Sequence, residues 1–331
     1  MKLTGRKKAV AFLMCVSLVM AFLTGCGTEL KAAFEEQEGN NSYELITVST
    51  EERATSFAAN LAVGETSVSF NDFEIEYASA AGLFDLTNHE VIYAYNMHSR
   101  LYMASLTKLM TALVAVKYGS LDQTLTATDA VTITESGAQL AGLSAGDTMT
   151  LEQALNILLI YSANDVANLI AENIGGSVEE FVEMMNEEAN ALGATNTHFT
   201  NPHGLHDNDH YTTVYDLYLI FQEAVKYEAI TQIISQSSYT TTYYDAYGTA
   251  KTISVNTTNA YFKQLYVTPE NITILGGKTG YTDQAGQCLA LYVKDASGNP
   301  YIGIILDSYD RDSVYGEMKT MLELINELGS F

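Results

Sequence analysis

The spacing of apolar residues in this chain changes character twice, and those changes bound the folds open to it. Residues 80–85 and 91–95 are short β-prone runs joined by Leu86-Thr87-Asn88-His89-Glu90, which reads as a hairpin. From Leu106 to about Tyr227 the pattern is that of amphipathic helices. After Ser235 alternation returns at 239–247, 252–257, 288–294 and 301–306, with Ser297-Gly298-Asn299-Pro300 as the turn between the last two. Residues 313–328 then read as a closing amphipathic helix. Early hairpin, helical middle, late strands and terminal helix imply an α+β domain. Its antiparallel sheet is expected to draw strands from both ends of the chain, with no internal repeat.

The helices carry their own punctuation. One starts around Ser105, presents Leu106, Leu109, Met110, Leu113, Val114 and Val116, and stops at Gly119. Thr150 with Gln153 forms a capping box ahead of Leu151, Leu155, Leu158, Leu159 and Ile160. That helix breaks at Tyr161-Ser162-Ala163-Asn164 and resumes from Asp165 to Asn173. Ser177 with Glu180, and Thr213 with Asp216, open two more.

Three stretches put reactive side chains into these contexts. Ser105-x-x-Lys108 sets a serine and a lysine three apart at a helix start, on one face, where unpaired N–H groups favour negative charge. A lysine buried in a dry interface loses basicity and can take a serine proton. Ser162-Ala163-Asn164 sits at the helix break, and Lys278-Thr279-Gly280 follows Gly276-Gly277 ahead of the late strands. Each alone is an N-cap serine, a loop pair or a strand-edge lysine. Their order and wide separation argue for one acyl-transfer site.

The N-terminus reads as a targeting signal, residues 1–25. Lys2, Arg6, Lys7 and Lys8 precede an apolar run from Ala9 to Leu23, short for a bilayer span. The run ends in Leu23-Thr24-Gly25-Cys26, which resembles a bacterial lipobox and implies export and lipid attachment at Cys26. With Cys15 in the signal and Cys26 lipidated, only Cys288 remains of three cysteines, so the mature chain has no internal disulfide. Residues 26–71 are polar and acidic, an expected tether, with the catalytic domain at 72–331. The 331-residue chain carries a formal charge of −24. Without the signal, 12 basic residues face 40 acidic ones, a balance of −28. That excludes nucleic acid and electrostatic docking on anionic lipid, and requires a local cation for any anionic substrate.

Beyond the three motifs, several segments match one pattern. They are Asn96, Ala104-Ser105-Leu106-Thr107-Lys108-Leu109-Met110-Thr111, Ser136-Gly137-Ala138, Gly142-Leu143 with Gly146, and Ser162-Ala163-Asn164-Asp165. Further on come Met185-Asn186, Leu192-Gly193, Thr197-His198-Phe199, Asn201-Pro202-His203-Gly204-Leu205, Gly277-Lys278-Thr279-Gly280-Tyr281-Thr282, Ala285-Gly286 and Cys288. Together they resemble the low-molecular-weight penicillin-binding proteins, the serine-type D-alanyl-D-alanine carboxypeptidases. The resemblance implies the β-lactamase/transpeptidase-like fold and hydrolysis of the terminal D-alanine of peptidoglycan stem peptides, with β-lactam antibiotics as covalent inhibitors and no cofactor or metal. By the same resemblance Ser105 is the nucleophile, Lys108 its base, and Ser162 a proton relay hydrogen-bonded between Lys108 and Lys278. Asn164 orients Lys108 and holds the substrate amide. Lys278 and Thr279 bind the terminal carboxylate, Gly280 admits the substrate backbone, and the N–H groups of Ser105 and Tyr281 form the oxyanion hole.

The rival activities are a DD-endopeptidase or a β-lactamase on the same fold, and a catalytically idle wall-binding lipoprotein. Glu152-Gln153-Ala154-Leu155-Asn156 resembles the deacylating motif of class A β-lactamases, but it precedes Ser162 and reads as helix. Ala163 stands where the family more often has glycine, and the C-terminal β domain that many relatives carry is not expected here. His198, His203, His206 and His210 read as loop hydrogen-bonding residues, Cys288 as a small core residue, and the acidic run 307–312 as a solvated turn.

Overall fold

The computed structural model describes residues 60–70 and 73–328. They belong to one compact unit, residues 56–331. The signal, Cys26 and most of the expected tether lie outside the described residues.

A five-stranded antiparallel sheet runs β2-β1-β9-β8-β7, from β1 (Ala78–Asp85), β2 (Glu90–Tyr95), β7 (Thr273–Thr282), β8 (Gly286–Lys294) and β9 (Pro300–Ser308). The first hairpin therefore pairs with the last strand, as the periodicity implied. Both faces are covered, because the β pleat sends alternate residues to opposite sides. Ile302, Ile304 and Leu306 enter the core under the helices, whereas Tyr301 and Ile305 enter the core under the terminal helix.

The helical middle consists of α1 (Thr107–Tyr118), α2 (Leu151–Asn156), α3 (Asn164–Gly175), α4 (Val178–Ala191), α5 (Val214–Ala224) and α6 (Glu228–Ile234). α7 (Arg311–Glu323) closes the fold. The caps fall where the side chains predict. Thr150 makes the reciprocal box with Gln153, and Ser177 and Thr213 accept from Glu180 N and Asp216 N. α1 does stop at Gly119, but there in an extended conformation. Glycine is required by crowding, since a Cβ would come within 2.6 Å of Leu151 and 2.7 Å of Ile174.

Several features depart from the expectation. Residues 60–70 pack on the domain: Ala62 is buried, its N–H donates to Tyr218 Oη at 2.9 Å, and Val68 pairs with Ala94. These residues, read from the sequence as the end of the tether, are thus held against the domain. A second sheet, order β3-β4-β5-β6, joins β3 (Thr124–Thr126) and β4 (Thr148–Thr150) to the hairpin β5 (Ser238–Tyr244) and β6 (Ala250–Asn256). β7 and α6 carry no clear periodic signal. Nor is the 307–312 run simply solvated: Ser79 Oγ donates to Asp307 at 2.5 Å, and Asp310 caps α7 through Ser313 N.

Candidate active site

Ser105 lies in a single 3₁₀ turn, Ala104–Leu106, that runs directly into α1. Ala104 has φ +46°, a left-handed conformation costly for an L residue with a side chain. The turn is clamped from two sides. A Cβ on Gly204 would stand 2.0 Å from the Ala104 carbonyl, and one on Gly280 would stand 2.9 Å from Met103 O and 3.1 Å from Ser105 N. Gly280 is therefore demanded by the approach of β7 to the nucleophile turn.

Lys108, one turn beyond Ser105 and in the first turn of α1, is fully buried. Its Nζ is 3.0 Å from Ser105 Oγ, 2.7 Å from Asn164 Oδ1 and 2.5 Å from the His203 carbonyl. Burial, reinforced by the Lys278 charge, lowers its pKa well below the ordinary value. The partners matter for the neutral form. Asn164 Oδ1 and the carbonyl can only accept, so they take the two N–H groups of a neutral amine, and the lone pair is left facing the one partner that can donate, Ser105 Oγ.

The second motif is shaped by a π-helical turn, Ile157–Tyr161, which ends with Ser162 at φ +72° and Ala163 extended. Ser162 Oγ accepts from Lys278 Nζ at 2.9 Å, and Lys278 also donates to the Thr279 carbonyl at 2.7 Å. Lys278 is buried, which brings its pKa down to about 7. Lys108 is thus bonded to Ser105, Asn164 and the His203 carbonyl and Ser162 to Lys278, so of the expected bridge between the two lysines the resting site forms the Lys278 side. Asn164 is held from behind: its N–H donates to Gln139 O at 2.8 Å. The next residue, Asp165, accepts from Ala141, Gly142 and Leu143 N–H at 2.9, 2.8 and 3.1 Å.

Above these groups is a cleft of about 450 Å³, lined by Ser105, Ser162, Asn164, Thr279, Gly280 and Tyr281 among others. The two lysines are sealed beneath it. Tyr281 is 57% exposed and donates its hydroxyl to Asp283. It lies on β7, which ends the sheet and has no strand partner on its outer edge. Six of the eight expected catalytic and substrate-binding residues therefore line this cleft and the other two, Lys108 and Lys278, lie beneath it; Cys26 lies outside the described residues.

Sequence reading missed other cleft residues. Thr258 accepts from Thr279 Oγ1 at 2.6 Å, and Lys263 and Arg311 supply exposed positive charge at the rim. They stand outside any motif, and only the return of distant segments to one place reveals them. The His203 backbone carbonyl also becomes a direct partner of Lys108, although its side chain stays local, accepting from Leu205 N–H at 3.1 Å. His198 Nδ1 contacts the Asp209 carbonyl, and His206 meets the edge of Tyr102. Among the described residues no three His, Cys, Asp or Glu side chains converge as a metal site. Cys288 is 2% exposed beneath the cleft wall, and burial pushes its thiol up to about 12. Glu152 is exposed at the start of α2 and is not among the residues lining the cleft.

Residues 66–309 match the family described as D-alanyl-D-alanine carboxypeptidase. The chain is 36% identical over 224 residues to D-alanyl-D-alanine carboxypeptidase DacF of Bacillus subtilis, covering 66% of this chain and 54% of DacF. It is 32% identical over 203 residues to DacB2 of Mycobacterium tuberculosis, covering 61% and 65%. The chain thus spans about half the length of several curated relatives it matches. The crystal structure of the Streptomyces K15 DD-transpeptidase aligns with a TM-score of 0.69 at 25% identity, over 75% of this chain and 96% of that one. The fold is the penicillin-binding-protein and β-lactamase-like fold that the three motifs implied. Carrying those motifs in one cleft and matching the family along most of its length, this chain belongs to the D-alanyl-D-alanine carboxypeptidase family.

Proposed function

We propose that this protein is a serine-type D-alanyl-D-alanine carboxypeptidase that releases the terminal D-alanine of peptidoglycan stem peptides and is acylated by penicillins. The observation that carries the reading is the Lys108 amine, buried and 3.0 Å from Ser105 Oγ, with its other two partners unable to donate.

In this mechanism Lys108 takes the Ser105 hydroxyl proton as Oγ bonds to the carbonyl carbon between the two D-alanines. The N–H groups of Ser105 and Tyr281 hold the oxyanion, an interaction worth about 10²–10³ in rate per donor. The C–N bond then breaks as Ser162 gives its hydroxyl proton to the departing D-alanine amine and takes a replacement from the protonated Lys108, which returns to its neutral form. Water hydrolyses the Ser105 ester to release the shortened peptide. Asn164 orients Lys108 and receives the substrate amide. Thr279 faces the cleft and meets the terminal carboxylate, while Lys278 supplies charge from beneath through Ser162. Lys278, with Lys263 and Arg311 at the rim, gives an acidic protein the local cations that an anionic terminus needs.

The lipid anchor belongs to the same reading and rests on Leu23-Thr24-Gly25-Cys26. Lipid at Cys26 would hold the domain, which follows a tether, at the outer face of the cytoplasmic membrane beside the wall. No described helix is long and apolar enough to cross a membrane. Fatty-acid labelling lost in Cys26→Ala tests the anchor.

The enzymatic reading is tested by labelling the soluble domain and its Ser105→Ala variant with a fluorescent penicillin, alongside D-alanine release from an acyl-D-Ala-D-Ala peptide. Labelling that survives the substitution would remove Ser105 as nucleophile. Fast loss of label with hydrolysed penicillin would identify a β-lactamase instead.

A further inference from the structure

Behind the nucleophile turn lies a hydrogen-bonded chain that the proposed chemistry does not use. His210 is 3% exposed. Its Nδ1 accepts the Thr200 N–H at 3.0 Å, which leaves the ring proton on Nε2. Nε2 is 2.7 Å from Thr107 Oγ1, and Thr107 Oγ1 donates to the Ala104 carbonyl at 2.7 Å. A hydroxyl has one proton, and here it goes to an oxygen that can only accept, so His210 must be the donor to Thr107. Every proton in the chain is thereby assigned, from Thr200 N–H to His210, Thr107 and the Ala104 oxygen. Burial supports this neutral ring, bringing the His210 pKa down to about 3.

The end of that chain is one residue from the nucleophile. The peptide joining Ala104 to Ser105 is a planar trans unit, so the Ala104 C=O and the Ser105 N–H point in opposite directions from one rigid plate. Whatever holds the oxygen also aims the N–H. The aim needs holding, because Ala104 sits at φ +46°.

We propose that Thr107 and His210 are positioning residues for Ser105, fixing the Ala104 carbonyl so that the opposed Ser105 N–H points at the developing oxyanion. This rests on the reading of Ser105 as nucleophile. Neither residue touches the substrate, and both act through the orientation of one peptide plane.

The test measures kcat and KM for D-alanine release from an acyl-D-Ala-D-Ala peptide, and affinity for a peptide boronic acid that forms a tetrahedral adduct on serine. Thr107→Val, which keeps shape and removes the hydroxyl, is expected to lower kcat roughly 10–100-fold with KM within about twofold. Boronate affinity should fall in parallel. Thr107→Ser restores kcat to within about threefold of wild type. His210→Ala has the same kinetic signature, and combining it with Thr107→Val adds little, since both break one chain. Thr107→Ala replaces the valine variant if that protein does not fold. A folded Thr107→Val or Thr107→Ala enzyme with wild-type kcat, a loss confined to KM, or multiplicative losses in the double variant overturns the inference. A wild-type protein that neither releases D-alanine nor takes penicillin overturns the functional reading, and this inference with it.

Discussion

Ser162 Oγ and Lys278 Nζ are 2.9 Å apart, while Lys108 directs its amine at Ser105, Asn164 and the His203 carbonyl. The two buried lysines thus serve separate networks, one around the nucleophile and one around the serine proposed to protonate the leaving group. Substituting Ser162 should leave the Lys108–Ser105 contact in place and slow the step that expels D-alanine. Ser162→Ala is expected to lower kcat about 10²–10⁴-fold, the usual range for a lost proton-transfer group. Stopped-flow acylation read beside product release checks this, and wild-type release in a folded variant would dismiss the relay.

The pH profile should carry the mark of Lys278. Burial brings this group from 10.5 to about 7, and burial also holds Lys108 well below its ordinary value. The reaction needs Lys108 neutral and Lys278 charged, so kcat/KM should fall on the alkaline side with an apparent pKa near 7. Lys278→Arg, which does not deprotonate, should move that limb upward. An unmoved limb would assign it to another group.

The same shift affects stability. Between pH 7 and 10.5 the unfolded chain holds a proton at Lys278 that the folded chain has released, so this group makes stability rise with pH across that window. Below about 7 both states are protonated and its contribution is constant. Urea midpoints should show wild type gaining on Lys278→Met as pH rises from roughly 7 to 10. Parallel midpoints would contradict it.

Asp165 ties the 141–143 loop to α3 through three backbone N–H groups, and that loop continues into Gln139, which holds Asn164. Asp165→Ala leaves three part-buried donors with only water to meet them, and should cost about 1–3 kcal/mol. Penicillin acylation should slow with it as Asn164 loses its support. Unchanged urea midpoints would show that water replaces the carboxylate.

Gly280 is the point of contact between β7 and the nucleophile turn. Gly280→Ala places a Cβ 2.9 Å from Met103 O and must push strand and turn apart. Acylation by penicillin is expected to fall roughly 10–100-fold, because small misplacements of reacting groups are costly. Wild-type acylation in this variant would show that the turn can yield without cost.

Much of this was legible in local pattern. Thr150, Ser177 and Thr213 announce their helices because a capping side chain bonds backbone within the next turn. Short apolar, β-prone runs mark β1, β2, β8 and β9, because the sheet is covered on both faces and side chains pointing either way are buried. β7 escaped, since Gly276-Gly277-Lys278-Thr279-Gly280 has neither alternation nor β-branched bulk and its place is set by neighbours. α6 escaped as well, being only seven residues long. In the second sheet alternation marked β5 and β6, but β3 and β4 were invisible because they are three residues each and owe their existence to pairing.

The sequence by itself determined the pairing of Ser105 with Lys108, because three residues at a helix start bring two side chains to one face whatever surrounds them. It also determined which functional groups are present and the order in which the chain delivers them. Only the tertiary structure decided that Ser162 meets Lys278, 116 residues away. It alone put a His203 carbonyl on Lys108, a buried His210 behind Thr107, and Gly280 against the nucleophile turn. Spacing along a helix is governed by bonds within one turn, whereas these meetings depend on how separate elements pack.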